Sequence, residues 1–192
     1  QKVCKGKLLA YDTDARGAYA AGMTDKAYPE VVMRRAMRIR DNVVTDTLTC
    51  TSDTAHVYDY VLLFSERPEI AGKWLADTLS APAVPSAAMN QSTKDGAPAQ
   101  SPAYASIRDV KSLDMKSRKL TASTPSARVD IQLGSLPKGT KVYLGTASGI
   151  PANPTISVGS AAVDAAASPC YPLIIRIPSS TADIRTRYTL PK

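Results

Sequence analysis

The sequence predicts an all-β fold, an antiparallel β-sandwich of two packed sheets, and three observations carry that prediction. Apolar and polar side chains alternate with period two over several short runs. Turn dipeptides and clusters of Gly, Pro and Ser separate those runs. Between them nothing has the spacing of a long amphipathic helix, and many short strands with turns between them mean a sandwich or barrel.

The first clear element is a hairpin. From Val31 to Ile39 the odd positions are Val31, Met33, Arg35, Met37 and Ile39, while the even ones include Arg34, Arg38 and, one step on, Arg40. After Asp41-Asn42, the residues Val44, Leu48 and Cys50 alternate with Thr45, Thr47, Thr49 and Thr51. Two alternating runs joined by such a dipeptide are a strong hairpin signal. A two-residue turn pairs Arg40 with Val43, Met37 with Asp46 and Arg35 with Leu48. Arg35 and Asp46 then share the apolar face as diagonal neighbours. Two charges on a core-facing surface are costly unless they meet, so the expectation is a largely buried ion pair.

The next strand is Ala55 to Phe64, with His56, Tyr58, Tyr60, Leu62 and Phe64 on one face. Pro68 to Ser80 reads as a short helix or an irregular excursion. Residues 81–103 shift to Ala, Pro, Ser and Gly and read as a flexible surface loop or insertion that does not divide the chain into two domains. Strand signals resume at Arg128 to Leu133, followed by a turn at Leu136-Pro137-Lys138-Gly139 and a return over Lys141 to Leu144. Ser148 to Ser168 is again small-residue loop. The chain ends with a strand over Pro172 to Ile177, a turn at Pro178-Ser179-Ser180, and a closing strand from Ala182 to Leu190.

With 192 residues the chain fits one domain, 1–192. A chain of this size buries about 70% of its unfolded surface and needs no disulfide or metal to fold. It has no run of about 18 apolar residues and hence no membrane span. It begins at Gln1 without Met or a signal-peptide pattern, which suggests a piece of a longer protein. Twenty-four basic against seventeen acidic side chains give +7, with pI near 9.4. A surplus of that sign can attract nucleic acid, an anionic membrane surface or an acidic polysaccharide, or simply keep a protein soluble. The lack of a Lys/Arg run, with one Trp and one Phe for stacking, counts against nucleic acid. Cys4, Cys50 and Cys170 show neither CxxC nor zinc-ligand spacing. Cys50, on an apolar strand face, is expected to be a buried free thiol.

Catalytic chemistry is thin. A Ser-His-Asp or Cys-His set would have to use His56, the one histidine, and no GxSxG elbow surrounds any Ser. His56 and Tyr58 share a strand face and could pair as acid and base, but aromatic and His residues on one face are more often core. No catalytic residue is therefore assigned. His56 is a weak metal candidate, because a zinc site needs three or four ligands and Asp46 is claimed by Arg35. No cofactor is expected. The substrate-binding candidates are Arg34, Arg38 and Arg40 on one outward strand face with Arg185 and Arg187 on another. Guanidinium groups suit bidentate contacts with carboxylate or sulfate.

The order of these motifs resembles the C-terminal region of the heparinase II/III-like polysaccharide lyase family. The residues that carry it are Val32-Met33-Arg34-Arg35, Asp41 to Leu48, Ala55-His56-Val57-Tyr58-Asp59-Tyr60, Tyr104 to Val110, Val129 to Leu133, Gly139 to Gly145 and Pro172 to Arg176. It spans roughly Tyr28 to Leu190. The resemblance implies a β-sandwich that follows a helical toroid in the complete enzyme, with most of the β-elimination machinery in the toroid. Some relatives hold a structural zinc through His and Asp in this region. Where relatives commonly show a further His, this sequence has Leu63.

The expectation is thus a β-sandwich domain of a secreted or periplasmic heparinase II/III-like lyase, non-catalytic by itself. Its partners would be an acidic polysaccharide and the toroid domain of the same protein. The alternative is a stand-alone carbohydrate- or protein-binding module of an extracellular protein. A structural reading, an adhesion or assembly domain, predicts an exposed, unpaired edge strand that adds another chain.

Overall fold

The computed structural model describes residues 6–28, 30–80, 104, 106–148 and 169–189. They are all-β, and ten strands join in one antiparallel hydrogen-bonded network. In chain order these are β1 (Lys7–Asp14), β2 (Gly17–Tyr28), β3 (Val31–Arg40), β4 (Val43–Phe64), β5 (Leu75–Ala76), β6 (Arg108–Asp114), β7 (Lys119–Ser123), β8 (Arg128–Leu133), β9 (Lys141–Ser148) and β10 (Pro169–Thr189). Across the network the order is β1-β2-β3-β4-β10-β9-β6-β5, and β7 joins through β8, which also pairs β10.

The predicted hairpin is present in the predicted register. Arg40 faces Val43, Met37 faces Asp46 and Arg35 faces Leu48. Asp41 and Asn42 have φ of 48° and 62°, both left-handed, as a two-residue turn matched to the strand twist requires. The expected ion pair forms in two prongs, Arg35 Nε to Asp46 Oδ1 at 3.0 Å and Nη2 to Oδ2 at 2.8 Å. It is buried on one side only: the Asp46 side chain is 1% exposed and that of Arg35 is 57%. Arg35 lies near the end of the covered sheet, so its outer flank stays in water.

Two strands carry no alternation signal. β1 is exposed at every position, and β2 is rich in Ala and Gly, so neither marks one face with apolar bulk. Sequence punctuation also misleads at the long strands. The runs Val43 to Thr51 and Ala55 to Phe64 belong to one strand, β4, and the turn expected at Pro178-Ser179-Ser180 is a bulge inside β10. Thr51 pairs with Thr181 and His56 with Ser179, so residues 52–55 oppose Ser180 alone. Such extra residues bend a strand and raise its twist.

The bend folds the inner face of the network upon itself. Leu173, Ile175 and Ile177 before the bulge share one core cluster with Ala182 and Ile184 after it, joined by Val142, Ile131 and Leu133. The hydroxyls of Tyr60 and Thr186, from the two sides of the bend, lie 2.8 Å apart. Cys50 sits in this core as a free thiol, and burial pushes its pKa to about 11. Cys4 lies outside the described residues.

Pro68 to Ser80 is the irregular excursion rather than a helix, held by the Trp74 indole N–H donating to the Ile70 carbonyl at 3.1 Å and by the short β5. The expected loop at 81–103 and nearly all of the one at 148–168 lie outside the described residues.

Candidate functional site

The register places all five candidate arginines on one outward face. Directly opposed residues of an antiparallel pair project to the same side. Arg38 opposes Thr45, which opposes Arg187, which opposes Asp130. In the adjacent row Ala36 opposes Thr47, then Arg185, Gln132 and Lys119. Arg34 opposes Thr49 and then Asp183, and Arg40 opposes Val43 and then Thr189 and Arg128. Arg34, Arg38, Arg40, Arg185 and Arg187 are all exposed.

The arginines therefore form two columns, on β3 and β10, separated by the threonines of β4. Two strand spacings put the columns about 10 Å apart, and Arg34 to Arg40 spans about 20 Å along the strand. Arg38 is held against the Tyr19 ring, with its guanidinium carbon 5.2 Å from the centroid. Asp130 tempers one corner. Its carboxyl accepts from Arg128 and from the Thr121 hydroxyl at 2.8 Å, and these bonds, with Arg187 nearby, lower its pKa. Sequence reading missed Arg128 and Lys119 because the strand order that adds them to this face is set by long-range pairing.

His56 is occupied locally. Its Nε2 lies 2.9 Å from the Ser52 hydroxyl and 3.2 Å from that of Thr54. Neither nearby aspartate turns to it: Asp46 binds Arg35 and Tyr60, and Asp59 binds Arg176 and Tyr104. Among the described residues no group of three or more His, Cys, Asp or Glu could hold a metal ion. The His56 and Tyr58 rings stand 6.0 Å apart at a hollow of about 300 Å³ on the inner face, which Tyr28, Met33 and Tyr104 also line. The Tyr58 hydroxyl donates to the Ser180 carbonyl at 3.4 Å and its pKa is raised by burial, which suits a buttress better than a proton donor.

The Asp59–Arg176 pair was not foreseen. Arg176 Nε donates to Asp59 Oδ1 at 2.8 Å and Nη2 to Oδ2 at 2.7 Å, with side-chain exposures of 15% and 6%. The Tyr104 hydroxyl donates to the same carboxylate at 2.6 Å, and Arg176 also donates to the Ser80 carbonyl at 2.8 Å. The two residues oppose each other directly across β4 and β10. The signal lay in the sequence, an Asp and an Arg each on an otherwise apolar strand, but only the β4–β10 register joins them.

No family model matches the chain, and no curated protein matches it. Among solved structures it is similar to a heparinase III gene product with methylated lysines, at TM-score 0.54 and 6% identity, over 98% of this chain and 21% of that one. It also aligns with a mutant of heparan sulfate lyase HepC from Pedobacter heparinus, at TM-score 0.47 and 7% identity, over 98% of this chain and 22% of that one. The likeness is one of fold, and this chain spans about a fifth of the length of each of these two structures. Among the described residues no helix is long and apolar enough to cross a membrane.

Proposed function

We propose that this chain is the β-domain of a heparinase II/III-like polysaccharide lyase, non-catalytic by itself, that helps hold an acidic polysaccharide. The reading rests on the fold likeness to the heparinase III gene product, which extends over 98% of this chain. The arginine face gives it a physical means. Two columns of guanidinium groups about 10 Å apart, with threonine hydroxyls between, offer paired donors to the carboxylates or sulfates of an extended glycan. In this reading the rest of the enzyme is a helical toroid that performs the β-elimination, and the protein works in the periplasm or outside the cell.

The test is titration of the chain with long heparin-like and alginate-like polysaccharides that span both arginine columns, alongside an Arg34/Arg38/Arg40→Ala triple variant. The expected result is salt-sensitive binding by the parent and its loss in the variant, because exposed charge pairs are screened by salt. Equal binding by both proteins would remove the face from the reading.

One observation favours a second reading, an assembly domain that adds a strand from another chain. β1 is exposed along its length, with Leu8 68% and Tyr11 66% exposed, and among the described residues only β2 pairs with it. Sedimentation of the chain at rising concentration decides this reading: a monomer throughout would count against it.

A further inference from the structure

A cleft of about 550 Å³ opens between the segment leading into β5, the end of β6 and the start of β7. Its size is in the range of small-ligand sites. Four lysines line it: Lys73, Lys116, Lys119 and Lys141. They come from separate parts of the chain, brought together by the β5–β6 and β6–β9 ladders and by the turn from β6 to β7. The Met115 N–H donates to the Thr140 carbonyl at 3.1 Å and the Lys119 N–H to the Ser117 hydroxyl at 3.2 Å, which shapes that turn. On the opposite wall Gly72, with φ of 151°, lets the backbone run close to Leu113: a β-carbon there would lie 3.0 Å from its Cδ2.

The charge in the cleft is not balanced from within. Two carboxylates line it, Asp77 and Asp114. Asp77 is engaged by the Ser112 hydroxyl at 2.6 Å, the Thr78 N–H at 2.7 Å and Lys141 at 3.5 Å. Among the described residues the ammonium groups of Lys73, Lys116 and Lys119 make no ion pair. Unneutralised cations around a concave, low-dielectric wall focus a positive potential into it. The floor is apolar, from Leu113, Met115 and Leu120, with Leu75 at the rim.

We propose that this cleft binds a short anionic saccharide, with carboxylate or sulfate groups on the lysines and the C–H face of a pyranose ring on the leucine and methionine floor. The saccharide class rests on the lyase-domain reading above, whereas the anion preference rests on the cleft alone. Lys119 links the two regions. It lines the cleft and lies in the cross-strand row of Arg185, so a polyanion crossing the arginine face can turn into the cleft at β7.

The experiment is calorimetric titration with a heparin tetrasaccharide, with a long heparin chain and with sodium sulfate. The proteins are the parent, a Lys73/Lys116/Lys119→Ala variant and the Arg34/Arg38/Arg40→Ala variant. The lysine variant should lose about tenfold or more in tetrasaccharide affinity, while the arginine variant keeps it and loses affinity for the long chain. Lys→Arg replacements at the same positions should restore binding, which separates charge from folding. Tetrasaccharide binding unaltered by the lysine variant, or absent from the parent, overturns the cleft assignment. Sulfate binding as tight as the tetrasaccharide overturns the saccharide class. The long-chain result with the arginine variant judges the domain reading separately.

Discussion

Tyr60 and Asp46 lie fourteen residues apart on one strand, yet the Tyr60 hydroxyl donates to Asp46 Oδ2 at 3.2 Å. A straight strand would separate them by about 46 Å. The bulge in β4 and β10 closes that distance, and the hydrogen bonds of Asp46 to Tyr60 and Arg35 fasten the two limbs of the bend.

Removing the exposed partner should therefore damage the interior. Arg35→Met leaves a carboxylate that is 1% exposed without its cation, and should cost about 3 kcal/mol. Tyr60→Phe removes two hydrogen bonds, one to Asp46 and one to the buried Thr186 hydroxyl, and should cost about 2 kcal/mol. Urea midpoints measure both. An Arg35→Met protein as stable as the parent would show that the pair is merely superficial.

The second buried pair predicts a larger loss. Arg176→Met strands Asp59 at 6% exposure, beside Tyr104, and should cost about 3 to 5 kcal/mol. Tyr104→Phe should cost about 1 kcal/mol. A double-mutant cycle between the two would reveal coupling, because both donate to one carboxylate.

Acid should weaken the fold through Asp77 and Asp130. Bonds from Ser112 and the Thr78 N–H, with Lys141 beside them, hold the Asp77 pKa below its ordinary 3.8, and Arg128 and Thr121 do the same for Asp130. A carboxylate with a lower pKa folded than unfolded stabilises above the unfolded value. That contribution is lost as pH falls through the folded one. The urea midpoint should thus decline below about pH 4. Asp77→Asn should differ most from the parent near neutrality and converge with it in acid; a constant offset at every pH would refute the linkage.

Cys50 should be inert in the native protein. At a pKa of about 11 and buried, its thiolate fraction is about 0.1% at pH 8. In a Cys4→Ser/Cys170→Ser background, iodoacetamide should leave the folded chain unlabelled and label it fully in urea. Rapid native labelling would mean that the core opens readily.

How much of this was legible follows from where the information sits. The β3–β4 hairpin was readable to the residue because alternation and the Asp41-Asn42 turn are local, and so was the Arg35–Asp46 contact. β10 was read as two strands because its inward positions change from odd, at Leu173, Ile175 and Ile177, to even, at Ala182 and Ile184, across the bulge. Alternation that changes phase looks like a turn. The outward direction of the five arginines was also readable, but their gathering on one face depends on β4 pairing with β10 more than a hundred residues away in sequence. The lysine cleft was invisible for a related reason, since Lys73 and Lys116 sit in segments with no periodicity at all.

The place of β10 in the network bears on how the domain is made. It is the C-terminal-most of the ten strands, yet it lies in the interior, with β4 along one side and β9 and β8 along the other. During synthesis the earlier hairpins leave the ribosome with their inner faces bare, and they wait for that ribbon to arrive. Such a fold is completed after translation of its last segment rather than built progressively. A nascent chain stalled before Pro169 would carry open strand edges and exposed leucine and isoleucine, a natural client for a holding chaperone.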